Sequence, residues 1–203
     1  MLLLKLGVRF LAKVTNVLLV GVGGQGTLLA ARILSGVLQQ GGYDVKMSEV
    51  HGMSQRGGSV VTFVRYGDRI YSPLVEKGTA DLILSFEKME ALRWLPYLKP
   101  GGTVVVNDFA LLPAPVLMGK AEYPYNALEI LKEQAETLIV LDAAKVAMEE
   151  AGNIRTQNVA LLGALASHMD IDTEIWQQVI RESVPPKTVE ANLKAFAAGG
   201  QQH

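Results

Sequence analysis

Asn16-Val-Leu-Leu-Val-Gly21-Val-Gly23-Gly24-Gln25-Gly26-Thr27, running on into Leu28-Leu-Ala-Ala-Arg-Ile-Leu-Ser-Gly-Val-Leu38, decides how the chain folds. An apolar run of β-forming residues leads straight into Gly-x-Gly-x-x-Gly, and an alanine- and leucine-rich segment with helical spacing leaves it. This reads as a strand, a tight turn and the opening of a helix. Glycines let such a turn take positive φ and let backbone approach a ligand or a neighbouring strand closely. The helix start brings unpaired N–H groups and the positive end of its dipole to the same loop, which favours a phosphate or carboxylate there. Close strand–helix packing alone also accounts for the glycines. Gly21, Gly23, Gly24, Gln25 and Gly26 are the first candidate binding residues.

Thr27 stands where a P-loop carries its lysine, so the charge that holds β- and γ-phosphates is missing and an NTPase reading is poor. A nicotinamide reading needs an acidic residue about 20 positions on, and Glu49 is near that place. Glu49, however, belongs to a polar loop with a character of its own.

Outward from the loop, Gly41-Gly42 ends the first helix and Asp44 to Ser48 alternates as a strand, completing a βαβ opening. The polar stretch His51-Gly-Met-Ser54-Gln55-Arg56-Gly57-Gly58 precedes the strand Ser59–Arg65. A turn at Tyr66-Gly67-Asp68 then predicts a hairpin with Arg69–Tyr71. Asp81–Phe86, Thr103–Asn107 and Leu138–Leu141 are buried-strand runs, the first followed by a helix over Glu87–Leu95 and the last preceded by one over Asn126–Gln134. Between them, Ala110–Pro124 carries Pro113, Pro115 and Pro124 and is expected to be extended loop and edge structure. From Ala143 the pattern is helical: Ala143–Ala151, Thr156–Met169, a helix capped by Asp172 and running to about Val184, and Thr188–Ala198. Gly163, Ala164 and Ala166 among leucines suit close approach to a sheet or helix. The expected fold is α/β: three layers, α/β/α, around a mostly parallel mixed sheet with a hairpin insertion and a helical C-terminal region.

A chain of 203 residues, half of them apolar, is long enough for one well-buried core. Residues 14–203 read as that single domain and residues 1–13 as an N-terminal extension, apolar with interspersed cations, too short and interrupted to span a membrane and without the order of a signal peptide. A formal charge of −1 gives no general field for nucleic acid or an anionic membrane, and a cytoplasmic location without either partner is expected. The chain has no cysteine, so it can supply no disulfide and no thiolate for zinc or an iron–sulfur cluster.

Among polar candidates, His51 beside Glu49 could act as a general base, though a loop histidine more often makes a structural hydrogen bond. Arg56, between Gln55 and Gly57-Gly58, could offer a guanidinium fork to a carboxylate, phosphate or pyrophosphate; a surface ion pair is its other reading. Ser48 and Ser54 lack a nucleophile's context, and three scattered histidines make no metal site. No catalytic residue and no metal ligand is assigned. Asn153 or Thr156 reads as a helix cap, and Asn158 as the start of a helix with an interface role as its alternative.

Taken together, Gly21–Gly26 with Ala30-Ala-Arg32, then Ser48-Glu-Val-His-Gly-Met-Ser-Gln-Arg-Gly-Gly58, then Tyr71-Ser-Pro73, Ala80-Asp81, Asn153-Ile-Arg155 and Asn158 resemble the gamma-type subunit family of 2-oxoacid:ferredoxin oxidoreductases, most of all its indolepyruvate branch. The resemblance runs from Val14 to about Ala198 and leaves residues 1–13 outside. It implies an enzyme subunit without a complete active site. A larger partner chain would bind thiamine diphosphate, magnesium and iron–sulfur clusters, and the complex would oxidatively decarboxylate a 2-oxoacid to an acyl-CoA while reducing ferredoxin. Carried onto these positions, Gly23, Gly24, Gln25, Ser54, Gln55 and Arg56 would face the partner, with coenzyme A a candidate ligand at that interface. Two other readings stay open: an autonomous nicotinamide dehydrogenase using Gly21, Gly23, Gly26 and Glu49, and a non-catalytic nucleotide-binding or assembly module.

Overall fold

Val17, Leu18, Leu19 and Val20 are all withdrawn from solvent, which requires the strand that carries them, β1 (Thr15–Val22), to be covered on both faces. In the computed structural model, which describes residues 14–52 and 57–201, β1 lies inside a single six-stranded sheet. The other strands are β2 (Asp44–His51), β3 (Ser59–Gly67), β4 (Ala80–Ser85), β5 (Leu98–Asn107) and β6 (Thr137–Leu141), in the order β2-β3-β1-β4-β5-β6. β1, β4, β5 and β6 pair in parallel, and β3 runs antiparallel to both β1 and β2.

The two-residue period of a strand splits the apolar residues between two cores. Val17 and Leu19 face α1 (Thr27–Gln40), α5 (Ala143–Ala151), α6 (Gln157–Ala166), α7 (Thr173–Ser183) and α8 (Val189–Gly199). Leu18 and Val20 face the smaller layer, made by α2 (Lys88–Trp94) and α4 (Ala127–Gln134). The expected three-layer α/β/α arrangement with a mixed sheet and a helical C-terminal region is what forms. Among the described residues, no helix is long and apolar enough to cross a membrane.

The hairpin lies elsewhere than expected. It is made by β2 and β3, through residues 52–58, and Arg69–Tyr71 is not a strand. The reason is side-chain competition for backbone groups. The Ile70 N–H donates to Asp44 at 2.7 Å, and the Arg65 guanidinium donates to the carbonyls of Ser72 and Leu74 at 3.0 Å each, so the segment after Gly67 is satisfied without a ladder partner. That Ile70 N–H, and then Lys46, hold the Asp44 carboxyl below its ordinary range. A second consequence is that β1 and β2 are parallel without being neighbours, since β3 separates them. β5 also starts before the expected Thr103, at Leu98, and takes in Pro100-Gly101-Gly102 at an irregularity in its pairing with β4.

The proline-rich stretch is held by a buried acid. Glu87, fully buried, caps α2 by accepting from the Glu90 N–H at 2.9 Å, and accepts as well from the Leu111 N–H at 3.1 Å and the Tyr123 hydroxyl. Burial, and then this carboxylate, push the Tyr123 phenol upward. Where no helix was expected, residues Ala114–Leu117 make one short turn, α3, with proline in its first turn, where a missing N–H costs nothing.

α6 and α8 meet backbone to backbone. A Cβ on Gly163 would stand 2.0 Å from the Phe196 carbonyl oxygen, and one on Gly199 would stand 1.9 Å from that of Ala160. In an open helix, glycine to alanine is stabilising by about 1 kcal/mol. Here Gly163→Ala is expected to have the opposite sign and cost about 1–3 kcal/mol as the helices are forced apart. Urea denaturation of the two proteins decides it, and a stabilised variant would contradict the close crossing.

Candidate functional site

The glycine loop folds back on its own strand. Gln25 Oε1 accepts the Val22 N–H at 2.7 Å, and its Nε2 donates to the Phe86 carbonyl at 3.2 Å, so both ends of the amide are engaged with backbone. Gly21 makes this fit: a Cβ there would lie 2.8 Å from Gln25 Oε1 and 2.9 Å from Phe86 Cβ. Gly24 and Gly26 have φ of 104° and 84°, the left-handed region that favours glycine. A Cβ on Gly26 would also stand 2.7 Å from Asn158 Nδ2. Asn158, buried at the start of α6, turns its Oδ1 to the Val159 N–H and packs its amide nitrogen on Gly26. Sequence reasoning gave Asn158 no place at the loop; its only sign was its presence in the stretch that carries the family resemblance.

α1 starts at Gly26 with no side-chain cap. Its first N–H groups have no partner within the helix, and the helix dipole adds to their positive field. They open into a cleft of about 420 Å³ lined by Gly23, Gly24 and Gly26 on one side and Glu49, His51 and Val60 on the other. The two sides are tied together: the Gly23 N–H donates to Gly58 O at 2.9 Å, and the Gly57 N–H donates to Gly23 O at 3.4 Å, continuing the β1–β3 pairing past its end.

Glu49 and His51 reach the cleft because they are two apart on β2 and share a face. His51 Nδ1 lies 3.1 Å from the Gly52 carbonyl oxygen, which is the structural hydrogen bond weighed above rather than a contact with Glu49. In a dinucleotide fold the ribose-binding acid ends a strand bonded directly to β1; here β3 intervenes, and the dehydrogenase reading loses its geometry.

Of the predicted site residues, Gly23, Gly24 and Gly26 therefore line the cleft, while Gly21 and Gln25 lie behind them and fix the turn. Ser54, Gln55 and Arg56 lie outside the described residues, as do residues 1–13. Among the described residues no group of His, Asp or Glu is placed to hold a metal ion.

Because Gln25 accepts the Val22 N–H at the buried end of β1, Gln25→Ala is expected to cost about 1–3 kcal/mol of stability, the penalty for leaving that donor unmet. Thermal and urea unfolding measure it. A Gln25→Ala protein as stable as the parent would return this side chain to the ligand-facing set.

The Pyruvate ferredoxin/flavodoxin oxidoreductase family model matches residues 16–202. The chain is 48% identical over 191 residues to indolepyruvate oxidoreductase subunit IorB of Pyrococcus horikoshii, covering 91% of this chain and 93% of that one, and 47% identical to the IorB of Thermococcus kodakarensis, with the same coverage. Among solved structures, the pyruvate oxidoreductase subunit PORC of Thermotoga maritima superposes with a TM-score of 0.70 at 19% identity, over 94% of this chain and 97% of that one. The 2-oxoglutarate:ferredoxin oxidoreductase of Magnetococcus marinus, of which this chain spans 30%, matches with a TM-score of 0.72 at 20% identity over 93% of this chain. These two likenesses establish the shared fold, and the sequence matches establish the descent: the chain belongs to the pyruvate ferredoxin/flavodoxin oxidoreductase family.

Proposed function

We propose that the chain is the small subunit of an indolepyruvate-type 2-oxoacid:ferredoxin oxidoreductase, active only with its larger partner. The observation that carries this reading is near-half identity to subunits of that name along almost the whole of both chains. The reaction is oxidative decarboxylation of an arylpyruvate, capture of the acyl group by coenzyme A, and passage of the electrons to ferredoxin. Thiamine diphosphate, held with magnesium on the larger chain, supplies the electron sink for loss of carbon dioxide. The iron–sulfur clusters belong there too, because a chain with no cysteine offers them no thiolate. On this reading the protein works in the cytoplasm.

What this chain contributes is a shaped, polar wall. The N–H groups at the start of α1 offer neutral dipoles to an anion, whether a coenzyme A phosphate, a substrate carboxylate or an acid of the partner. Glu49 and His51 form the facing rim. Arg56, seven residues beyond Glu49 on the segment that follows β2, would bring the full positive charge that Thr27 cannot. Gln55 and Ser54 would add neutral hydrogen-bonding groups beside it.

Co-expression with the larger subunit tests the assignment. The two chains are expected to copurify and to reduce ferredoxin with indolepyruvate and coenzyme A, while the rigorously purified small chain does not turn over. Turnover by the single chain, or calorimetric binding of NADH to it, would sink the proposal. Within the assembled enzyme, Arg56→Ala is expected to lose about 1.5–3 kcal/mol of transition-state stabilisation, read in KM or kcat for coenzyme A or the 2-oxoacid. Parent kinetics in a complex of unchanged stability would leave Arg56 as a surface ion pair.

A further inference from the structure

A second cleft opens on the other side of the first turn of α1. Leu28 lines the glycine-loop cleft, and Leu29, the next residue, lines a cavity of about 380 Å³ between the starts of α6 and α8. Leu29, Val184 and Pro185 make its apolar part, and Arg155 and Lys187 are its charged residues. No acidic residue lines it. Neither cation belongs to any ion pair among the described residues.

The placement of these cations is unfavourable for the fold alone. Arg155 sits in the single 3-10 turn Ile154–Thr156 that leads into α6, and Lys187 in the turn Pro186–Thr188 that leads into α8. Both therefore stand at the N-terminal, positive ends of helices, where acids are stabilising and cations are not. Their backbone is nonetheless firmly held. Asn153 Oδ1 accepts the Arg155 N–H at 3.1 Å, Thr156 Oγ1 donates to Asn153 O at 2.8 Å, and Asn192 Nδ2 donates to Thr188 O at 2.8 Å. Thr156 and Asn192 are themselves buried, so the frame that presents the two charges is part of the core. A rigid frame holding two unpaired like charges over an apolar floor is what a dianion carried on an apolar body would complete.

We propose that this cleft binds a phosphate monoester borne on a flat apolar or aromatic body, as in a nucleotide. Two full positive charges match the dianion, the guanidinium offers it a fork of donors, and the helix ends add to the same field. The volume falls within the range of small-molecule sites. Leu29, Val184 and Pro185 cover the body. The site is distinct from the glycine-loop cleft and does not depend on the subunit role proposed above.

The test is a titration of the full, isotope-labelled chain with adenosine 5′-monophosphate, adenosine and inorganic phosphate, followed by amide NMR. The monophosphate is expected to give saturable shifts at Leu29, Thr156 and Thr188. Removal of both charges in an Arg155→Gln/Lys187→Gln protein is expected to weaken it about tenfold or more, and adenosine to bind about tenfold or more weakly than its monophosphate. Both side chains are exposed, and the double variant is expected to melt at or above the parent's temperature because a cation is removed from the positive end of each helix. Absence of saturation by about 10 mM, an affinity near 3 kcal/mol or less, overturns the site. So do shifts confined to Gly23–Thr27, or parent affinity in the double variant. Adenosine binding as tightly as its monophosphate removes the phosphate from the recognition, and inorganic phosphate binding as tightly removes the apolar body; either result overturns the proposal as stated.

Discussion

The missing β-carbon of Gly21 is the constraint on which the candidate site depends. With a Cβ there, Gln25 could not turn its amide back to the end of β1, and the contact of that strand with Phe86 at the end of β4 would open. The glycine is thus required by a side chain four residues later rather than by a ligand. Its effect is to hold the turn still, so that the N–H groups at the start of α1 meet the cleft already oriented. Donors fixed in advance spend no ordering entropy when an anion arrives.

The bracing continues across the sheet edge through a second amide. Asn107 Nδ2 donates to the same Phe86 carbonyl at 3.3 Å, and its Oδ1 accepts the Ala143 N–H at 3.0 Å. Gln25, Phe86, Asn107 and Ala143 therefore join the ends of β1, β4 and β5 to the start of α5. The side-chain amides of Gln25 and Asn107 each have a partner at both ends, which makes this polar network stabilising rather than costly. On the far side of α1, Asn158 holds Gly26 from α6. The loop is clamped from the sheet and from the helical layer at once.

Most of the fold could be read from residue pattern because most of it follows from local burial. Val17–Val20 and Val104–Val106 are continuous apolar runs that only a doubly covered strand can bury, and Asp142, Gly152 and Asp172 bound their helices by capping geometry that is visible in the chain. The hairpin was misplaced because Asp44 and Arg65 settle the backbone after Gly67 from positions more than a few residues away, and no period in the sequence records that. Glu87 is similar. As a helix cap it could be anticipated, but its grip on Leu111 and Tyr123 is long-range and emerges only when the chain is folded. The glycines that line the cleft were legible from their motif, whereas the division between cleft-facing Gly23, Gly24 and Gly26 and the bracing pair Gly21 and Gln25 was not, since both groups share one pattern.

The charge layout around α1 separates two ways of holding an anion. On the Leu28 side the described wall offers dipoles, with no cation lining it and Glu49 facing them. A carboxylate opposite the N–H groups competes for the same positive field, so an anion binding there must bring its own compensation or meet a charge from outside the described wall. On the Leu29 side two full charges stand with nothing acidic among the lining residues. Fixed dipoles discriminate by geometry and cost little to leave unoccupied at a surface, whereas cations at the positive ends of helices stand in an unfavourable field until something neutralises them. The first kind of site suits a group that must enter and leave in each reaction cycle. The second suits a group held longer, and with Leu28 and Leu29 adjacent in one helical turn, the rigidity that Gly21, Gln25 and Asn158 impose on the start of α1 serves both sides of it.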